Sequence, residues 1–216
     1  MIIVEAIRKR FADDLIIAEE DECLLDEGKR ARILEFIKRP IPPVSLAGNC
    51  SANSPSKRFW TIDPIDGTKG YIREAQYSIC VALVVDERVV MSAIGCPRLA
   101  LNDAAMSREG TLIFAIKGQG AFQAGILDGS AQALPLPAQP RNLSDAILAE
   151  GYEPSHANHE FSSSLRASIG MTQSCTIRMD SQCKYGLVAR GQANVYLRRP
   201  RNLAYREKIW VRPPRP

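Results

Sequence analysis

A chain of 216 residues, 45% hydrophobic and 24% charged, has the composition of an ordinary soluble globular protein and is long enough for one large domain or two smaller ones. Its net charge of +4 is modest and suits an anionic small substrate without identifying one. No stretch approaches the roughly 18 to 20 apolar residues that span a bilayer, which excludes a transmembrane helix, and the opening Met1-Ile2-Ile3-Val4-Glu5 meets charge too early for a secretory segment.

Taken in chain order, Ile3, Ala6, Ile7 and Phe11 recur at helical spacing, ahead of a polar break at Asp13-Asp14. Leu15-Ile16-Ile17 then reads as a buried strand that delivers Glu19, Glu20 and Asp21 at its C-terminal end. Residues 28–38 suit a second helix, stopped by Pro40, and a loop rich in Pro, Ser, Asn and Gly runs on to Lys57. Residues 59–62 are a predicted strand that Asp63-Pro64 ends. Two β-branched runs, 77–85 and 89–94, flank Asp86-Glu87-Arg88, and residues 112–116 and 121–123 flank Gly118-Gln119-Gly120; both patterns read as hairpins. Residues 125–145 read as polar loop. After them, strands near 146–149, 176–179 and 193–197 alternate with helical patterns near 158–169 and 182–190. The change of character near residue 145 predicts two subdomains with a cleft between them. The six cysteines (Cys23, Cys50, Cys80, Cys96, Cys175, Cys183) show no Cys-x-x-Cys spacing, and several lie in apolar runs, so they read as reduced thiols in a cytoplasmic protein.

The chemistry concentrates in Trp60-Thr61-Ile62-Asp63-Pro64-Ile65-Asp66-Gly67-Thr68-Lys69-Gly70. Two carboxylates three residues apart at a strand end, with proline fixing the turn, can aim their oxygens at one point. The Ile65 carbonyl offers a further oxygen. Mg²⁺ takes such hard oxygen donors and commonly shares its shell with substrate phosphate. Gly67 lets the backbone pass close to a ligand, and Thr68, Lys69 and Gly70 open a helix or turn whose N–H groups can face a phosphate. The same five residue types from Asp63 to Gly67 also favour a plain turn, so the flanking strand and the Thr-Lys-Gly continuation are what single the segment out.

These residues resemble the inositol monophosphatase superfamily, whose members carry Trp-x-x-Asp-Pro-Ile-Asp-Gly-Thr at the metal site. The continuation through Tyr71-Ile72-Arg73, with Gln76-Tyr77 after it, is more similar to the 3′(2′),5′-bisphosphate nucleotidase branch. Ile94-Gly95-Cys96-Pro97, Gly118–Phe122, Met179-Asp180-Ser181-Gln182-Cys183-Lys184-Tyr185, Ala193–Arg198 and Tyr205–Trp210 extend the resemblance over nearly residues 1 to 210. It implies an α/β fold, a layered α-β-α-β sandwich with mixed sheets. Within it, residues 1–145 would form a metal-binding α+β subdomain and 146–210 part of a second α/β subdomain, followed by an atypical Arg/Pro tail at 211–216.

The resemblance further implies hydrolysis of the 3′-phosphate of adenosine 3′,5′-bisphosphate to AMP and phosphate, assisted by two or more Mg²⁺ ions and without a covalent enzyme intermediate. Glu19, Asp63, the Ile65 carbonyl and Asp66 match the family's metal ligands, and Thr68 matches the residue that orients the attacking water. Asp66, Gly67, Thr68, His156, Ser181, Lys184 and Arg198 match substrate-contacting positions. His156 and His159 read equally as a helix-start or surface pair, and Lys184 and Arg198 as solvated charges. The implied partner is a small nucleotide, with neither nucleic acid nor membrane involved, and the oligomeric state is left open. An inositol phosphate phosphatase and a non-catalytic fragment that binds nucleotide are the alternatives.

The sequence departs from the family at both ends. The resemblance implies a preceding segment with a helix and an aspartate that serves as general base, and an Asp-His-Ala-Ala-Gly after Trp210 whose aspartate binds metal; Val211 stands at that position. The expectation is a chain truncated at both ends, poorly stable and weakly active as written.

Overall fold

The computed structural model describes residues 2–18, 58–86, 88–127, 129, 131–138, 140, 142–154, 158–171 and 176–198. The helix expected at 28–38, the loop that follows it, Glu19, His156, and Cys23, Cys50 and Cys175 lie outside the described residues.

Helix α1 (Ile2–Arg10) buries Val4 and Ile7, and its basic last turn of Arg8, Lys9 and Arg10 complements the helix dipole. Strand β1 (Leu15–Ala18) pairs in parallel with β2 (Arg58–Asp66). After β2 comes the five-residue helix α2 (Thr68–Ile72), then the antiparallel strands β3 (Ser78–Val85), β4 (Arg88–Cys96), β5 (Thr111–Ile116) and β6 (Gly120–Gly125). Edge strand β7 (Ala131–Ala133) completes a seven-stranded sheet in sequential order, β1 to β7. Both predicted hairpins form: Val85 pairs Arg88 across a two-residue loop, and Ile116 pairs Gly120.

The second sheet has three parallel strands in the order β10-β8-β9: β8 (Leu148–Gly151), β9 (Thr176–Met179) and β10 (Val195–Tyr196). Parallel neighbours need crossovers. Helix α3 (His159–Ser168) supplies the first and α4 (Cys183–Ala189) the second.

Alternation along the strands fixes the layers, because successive side chains face opposite sides of a sheet. Trp60 and Ile62 of β2, with Val81 and Leu83 of β3, face α1 and enclose Val4, Ile7 and Ile16. Cys80, Ile94 and Cys96 face the other way, into a core shared with Ala149, Met179, Cys183 and Leu187. Helix α4 therefore lies between the two sheets. On the far side of β8, Leu148 packs with Ala146 and Met171, and Arg166 of α3 reaches the Thr176 hydroxyl. The order of layers is α1, large sheet, α4, small sheet, α3: the predicted alternating sandwich with one more helical layer. Among the described residues, no helix is long and apolar enough to cross a membrane.

Two sequence expectations need correction. Asp63-Pro64 does not end β2, which continues to Asp66. The segment 125–145 is not wholly loop: it holds edge strand β7 and a short 3-10 turn at Leu143–Asp145. A three-residue strand of Ala-Gln-Ala carries too little apolar pattern to be read from sequence.

Candidate active site

A regular strand sends residues three apart to opposite faces, so Asp63 and Asp66 could not act together on an unbroken β2. The pairing with β3 shows how they come to do so. Asp63 pairs Cys80 and Asp66 pairs Ser78, so three steps on β2 span two on β3. The extra residue is a β-bulge, a feature common beside active sites. Pro64 has no N–H to lose from the ladder, which makes this the cheap place for it. Cys80 and Ser78 share a face, and so both carboxylates turn to the side where α4 lies.

Asp63 is buried, with 2% of its surface exposed, and its Oδ1 accepts the Ile65 N–H at 3.2 Å. The Thr68 hydroxyl donates to the Ile65 carbonyl at 3.4 Å. Asp66 Oδ2 accepts from the Ser78 hydroxyl at 3.1 Å and from the backbone N–H of Gln182, which also points at Ser78 Oγ (3.2 Å). Strand β1 ends at Ala18, level with Ile62 and one residue short of Asp63. Three of the four expected metal ligands are thus gathered in one bulge.

Gly67 takes a left-handed φ of 84°, and a Cβ there would lie 2.8 Å from Ser181 Cβ. At Gly70 a Cβ would lie 2.1 Å from the Gln76 carbonyl and 2.9 Å from Asp180 Cβ. The glycines let α2 lie flat on the turn between β9 and α4. That turn carries Asp180, Ser181 (φ 62°) and Gln182. Lys184, one residue into α4, is buried rather than solvated, and its ammonium donates to the carbonyls of Met179 (3.0 Å) and Ser181. Burial pushes the Lys184 ammonium down to about 8, opposed by the Asp66 carboxylate and reinforced by the nearby Arg198 charge. Its Nζ also sits 5.6 Å from the centre of the Tyr196 ring. Burial and the Asp66 charge likewise push the Cys80 thiol up, and Cys80, Cys96 and Cys183 are free and buried.

Asp63, Ile65, Asp66, Gly67, Thr68, Ser181, Lys184 and, at longer range, Arg198 are therefore brought to one place. His159 stands at the start of α3, its Nε2 2.9 Å from the carbonyl of Gly151 at the end of β8, and Asn158 caps the helix by accepting the Phe161 N–H at 3.0 Å. Sequence reading missed Ser78 and Glu153, and it quoted Arg73, Asp180 and Gln182 within motifs without giving them a role. Of the two missed residues, Ser78 left a signal, as a polar residue in phase with Cys80 on an otherwise apolar strand.

The donors in the bulge are all oxygen, two of them carboxylates, which is the set a hard divalent cation takes. The described residues hold no group of three His, Cys, Asp or Glu side chains around one point, and Glu19 lies outside them. The oxygens of Asp63, Ile65 and Asp66 are of the kind Mg²⁺ takes as part of a shell.

Comparison with known proteins bears on the fold and the family. The chain is 34% identical to the 3′(2′),5′-bisphosphate nucleotidase of Emericella nidulans, over 97% of its own length and 69% of that protein's. It is 36% identical to the 3′(2′),5′-bisphosphate nucleotidase 2 of Candida albicans, over 97% of its length and 68% of the relative's. Among solved structures it resembles CysQ from Bacteroides thetaiotaomicron, a bacterial member of the inositol monophosphatase family, with a TM-score of 0.56 at 22% identity, covering 89% of this chain and 63% of that one. The chain thus spans about two thirds of the length of the proteins it matches. The Inositol monophosphatase family profile matches residues 1–210, and the chain belongs to that family.

Proposed function

We propose that this chain carries the metal-binding and nucleotide-facing parts of a Mg²⁺-dependent phosphomonoesterase that removes the 3′-phosphate of adenosine 3′,5′-bisphosphate, giving AMP and phosphate. The observation that carries this reading is the tie between Asp66 in the oxygen-rich bulge and Gln182 in the Ser181–Lys184 turn, which sets phosphate-binding chemistry beside groups suited to a sugar phosphate. The names of the relatives support the choice of nucleotide.

Asp63, Asp66, the Ile65 carbonyl and Glu19 would hold the cations, which supply a water of lowered pKa and neutralise charge on the phosphate oxygens. Thr68, already directed at the Ile65 carbonyl, would orient the attacking water. The water oxygen would bond to phosphorus as the bond from phosphorus to O3′ breaks, and the proton the water gives up balances the one O3′ takes to leave as the ribose hydroxyl. Lys184, with two ammonium protons committed to carbonyls, would give the third to a phosphate or ribose oxygen. Ser181 and Arg198 would complete the contacts to the nucleotide. Catalysis in such a site is positioning and electrostatics.

The test is phosphate release by the purified chain with Mg²⁺, on adenosine 3′,5′-bisphosphate and on inositol 1-phosphate in parallel. Preference for the nucleotide supports the proposal. Preference for the inositol phosphate overturns the substrate assignment. Calorimetric binding of the nucleotide without phosphate release would overturn the catalytic one.

A further inference from the structure

Helix α2 is a turn and a half long, and alone it could not hold Thr68 and Asp66 in a fixed relation to a second sheet more than 80 residues away in sequence. Its last residue is followed by Arg73, whose guanidinium divides between two carboxylates. Nη1 donates to Glu153, in the loop after β8, and Nη2 donates to Asp180 at 2.8 Å, in the loop after β9. The two loops leave the C-terminal ends of adjacent parallel strands, where ligands of open α/β sheets bind. Glu153 and Asp180 are shielded, at 17% and 9% side-chain exposure. The same guanidinium lies 4.9 Å from the centre of the Tyr152 ring, and Lys69 reaches Glu153 at 3.6 Å. Hydrogen bonding to Arg73 holds the Glu153 carboxyl below its ordinary range. On the other side, Gly67 and Gly70 remove the side chains that would keep α2 off Ser181 and Asp180.

We infer that Arg73 is a positioning residue for the proposed phosphatase reaction: by bridging Glu153 and Asp180 it locks α2, with Asp66 and Thr68 at its root, in register with Ser181 and Lys184. The inference rests on the phosphatase reading. It explains why an arginine is needed: a planar fork reaches two carboxylates at once, and a lysine offers one point charge. A nucleotide touched from both sides of the site depends on this register, whereas a small phosphate ester held only at the bulge depends on it far less.

The test compares the wild-type chain with Arg73→Lys and Arg73→Ala in two ways. Amide hydrogen exchange, read without substrate, should quicken in residues 67–73 and 179–184 of Arg73→Ala and stay unchanged in β3–β6. Steady-state kinetics should show the ratio of kcat/KM for adenosine 3′,5′-bisphosphate to that for glycerol 2-phosphate falling on the order of tenfold, since small misplacement of reacting groups costs that much or more. The melting midpoint should fall by no more than about 2–4 °C, as expected for a partly exposed ion pair. Arg73→Lys should resemble Arg73→Ala. Exchange that is unaltered, or faster throughout the chain, would overturn the inference, as would full rescue by lysine or equal losses on both substrates. If the wild-type chain hydrolyses neither ester, the phosphatase reading fails on its own and exchange alone decides the role of Arg73.

Discussion

The carboxylate of Asp66 accepts the backbone N–H of Gln182, a residue 116 positions later in the chain. A charge-assisted bond of this kind is among the stronger single links a protein makes. Here it joins the bulge that gathers the metal-ligating oxygens to the turn that carries Ser181 and Lys184. Changes at either end should therefore be felt at the other.

Asp66→Asn removes a carboxylate charge from the bulge and keeps the size of the side chain. Mg²⁺ affinity measured by calorimetry should fall at least about tenfold, since even outer partners of a metal site are worth 10- to 100-fold. The Ser78→Ala variant, which keeps the Asp66 carboxylate but loses the 3.1 Å bond to it and the Ser78 Oγ acceptor 3.2 Å from the Gln182 N–H, should weaken Mg²⁺ by a smaller factor. Equal affinity for Asp66→Asn and wild type would remove Asp66 from the ligand set.

Gly70→Ala would place a methyl 2.1 Å from the Gln76 carbonyl, on backbone that cannot step aside cheaply. Urea unfolding should show a loss of about 1–3 kcal/mol. Gly67→Ala should lose about 1–2 kcal/mol from its left-handed φ alone, with the 2.8 Å approach to Ser181 adding to it. Gly118→Ala is the control: its φ is also positive, at 80°, but a Cβ there meets nothing within 4 Å. A Gly70 variant as stable as wild type would mean that α2 does not rest on the Asp180 turn.

Lys184 gives a pH dependence with a definite sign. Its ordinary value is 10.5 and burial lowers it to about 8 in the folded protein, so between those limits the unfolded chain binds more protons. Stability relative to Lys184→Met should then rise as pH increases from 8 toward 10.5, on the order of 3 kcal/mol across the window. Below pH 8 the difference should be flat. The comparison is made with EDTA, by denaturant unfolding at a series of pH values. Both proteins carry Cys183→Ala, because the Lys184 charge acts on the Cys183 thiol and its titration would not cancel. A difference that falls with pH would show that Lys184 is stabilised in its charged form.

Asp14 anchors the other end of β2. It accepts Trp60 Nε1 at 2.9 Å and the Arg58 guanidinium at 2.8 Å. Asp14→Ala leaves the indole N–H of a buried tryptophan without this acceptor, which should cost about 1–3 kcal/mol, read from the urea midpoint. Arg58→Ala removes the exposed partner of Asp14, whose guanidinium also lies 5.2 Å from the centre of the Phe11 ring, and should cost about 1 kcal/mol or less. Equal costs would show that the indole bond contributes little.

The sequence alone determined the alternating layered fold, nearly every strand and helix among the described residues, and the identity of the oxygen-rich motif. The signals for the elements are local, β-branched runs and Gly-rich hairpin loops, while the Asp-Pro-Ile-Asp-Gly-Thr segment is identified by its family resemblance, since its residue types alone suit a plain turn as well as a hard cation. Tertiary structure decided how the motif works. Only pairing with Ser78 and Cys80 reveals the bulge that turns Asp63 and Asp66 to one face. Only the packing of α4 between two sheets turns Lys184 from an ordinary helix-surface residue into a buried ammonium. Arg73 can be assigned a task only once the loops after β8 and β9 are seen side by side. Each of these depends on partners far apart in the chain, and a pattern read along one strand or helix carries no record of what lies across from it.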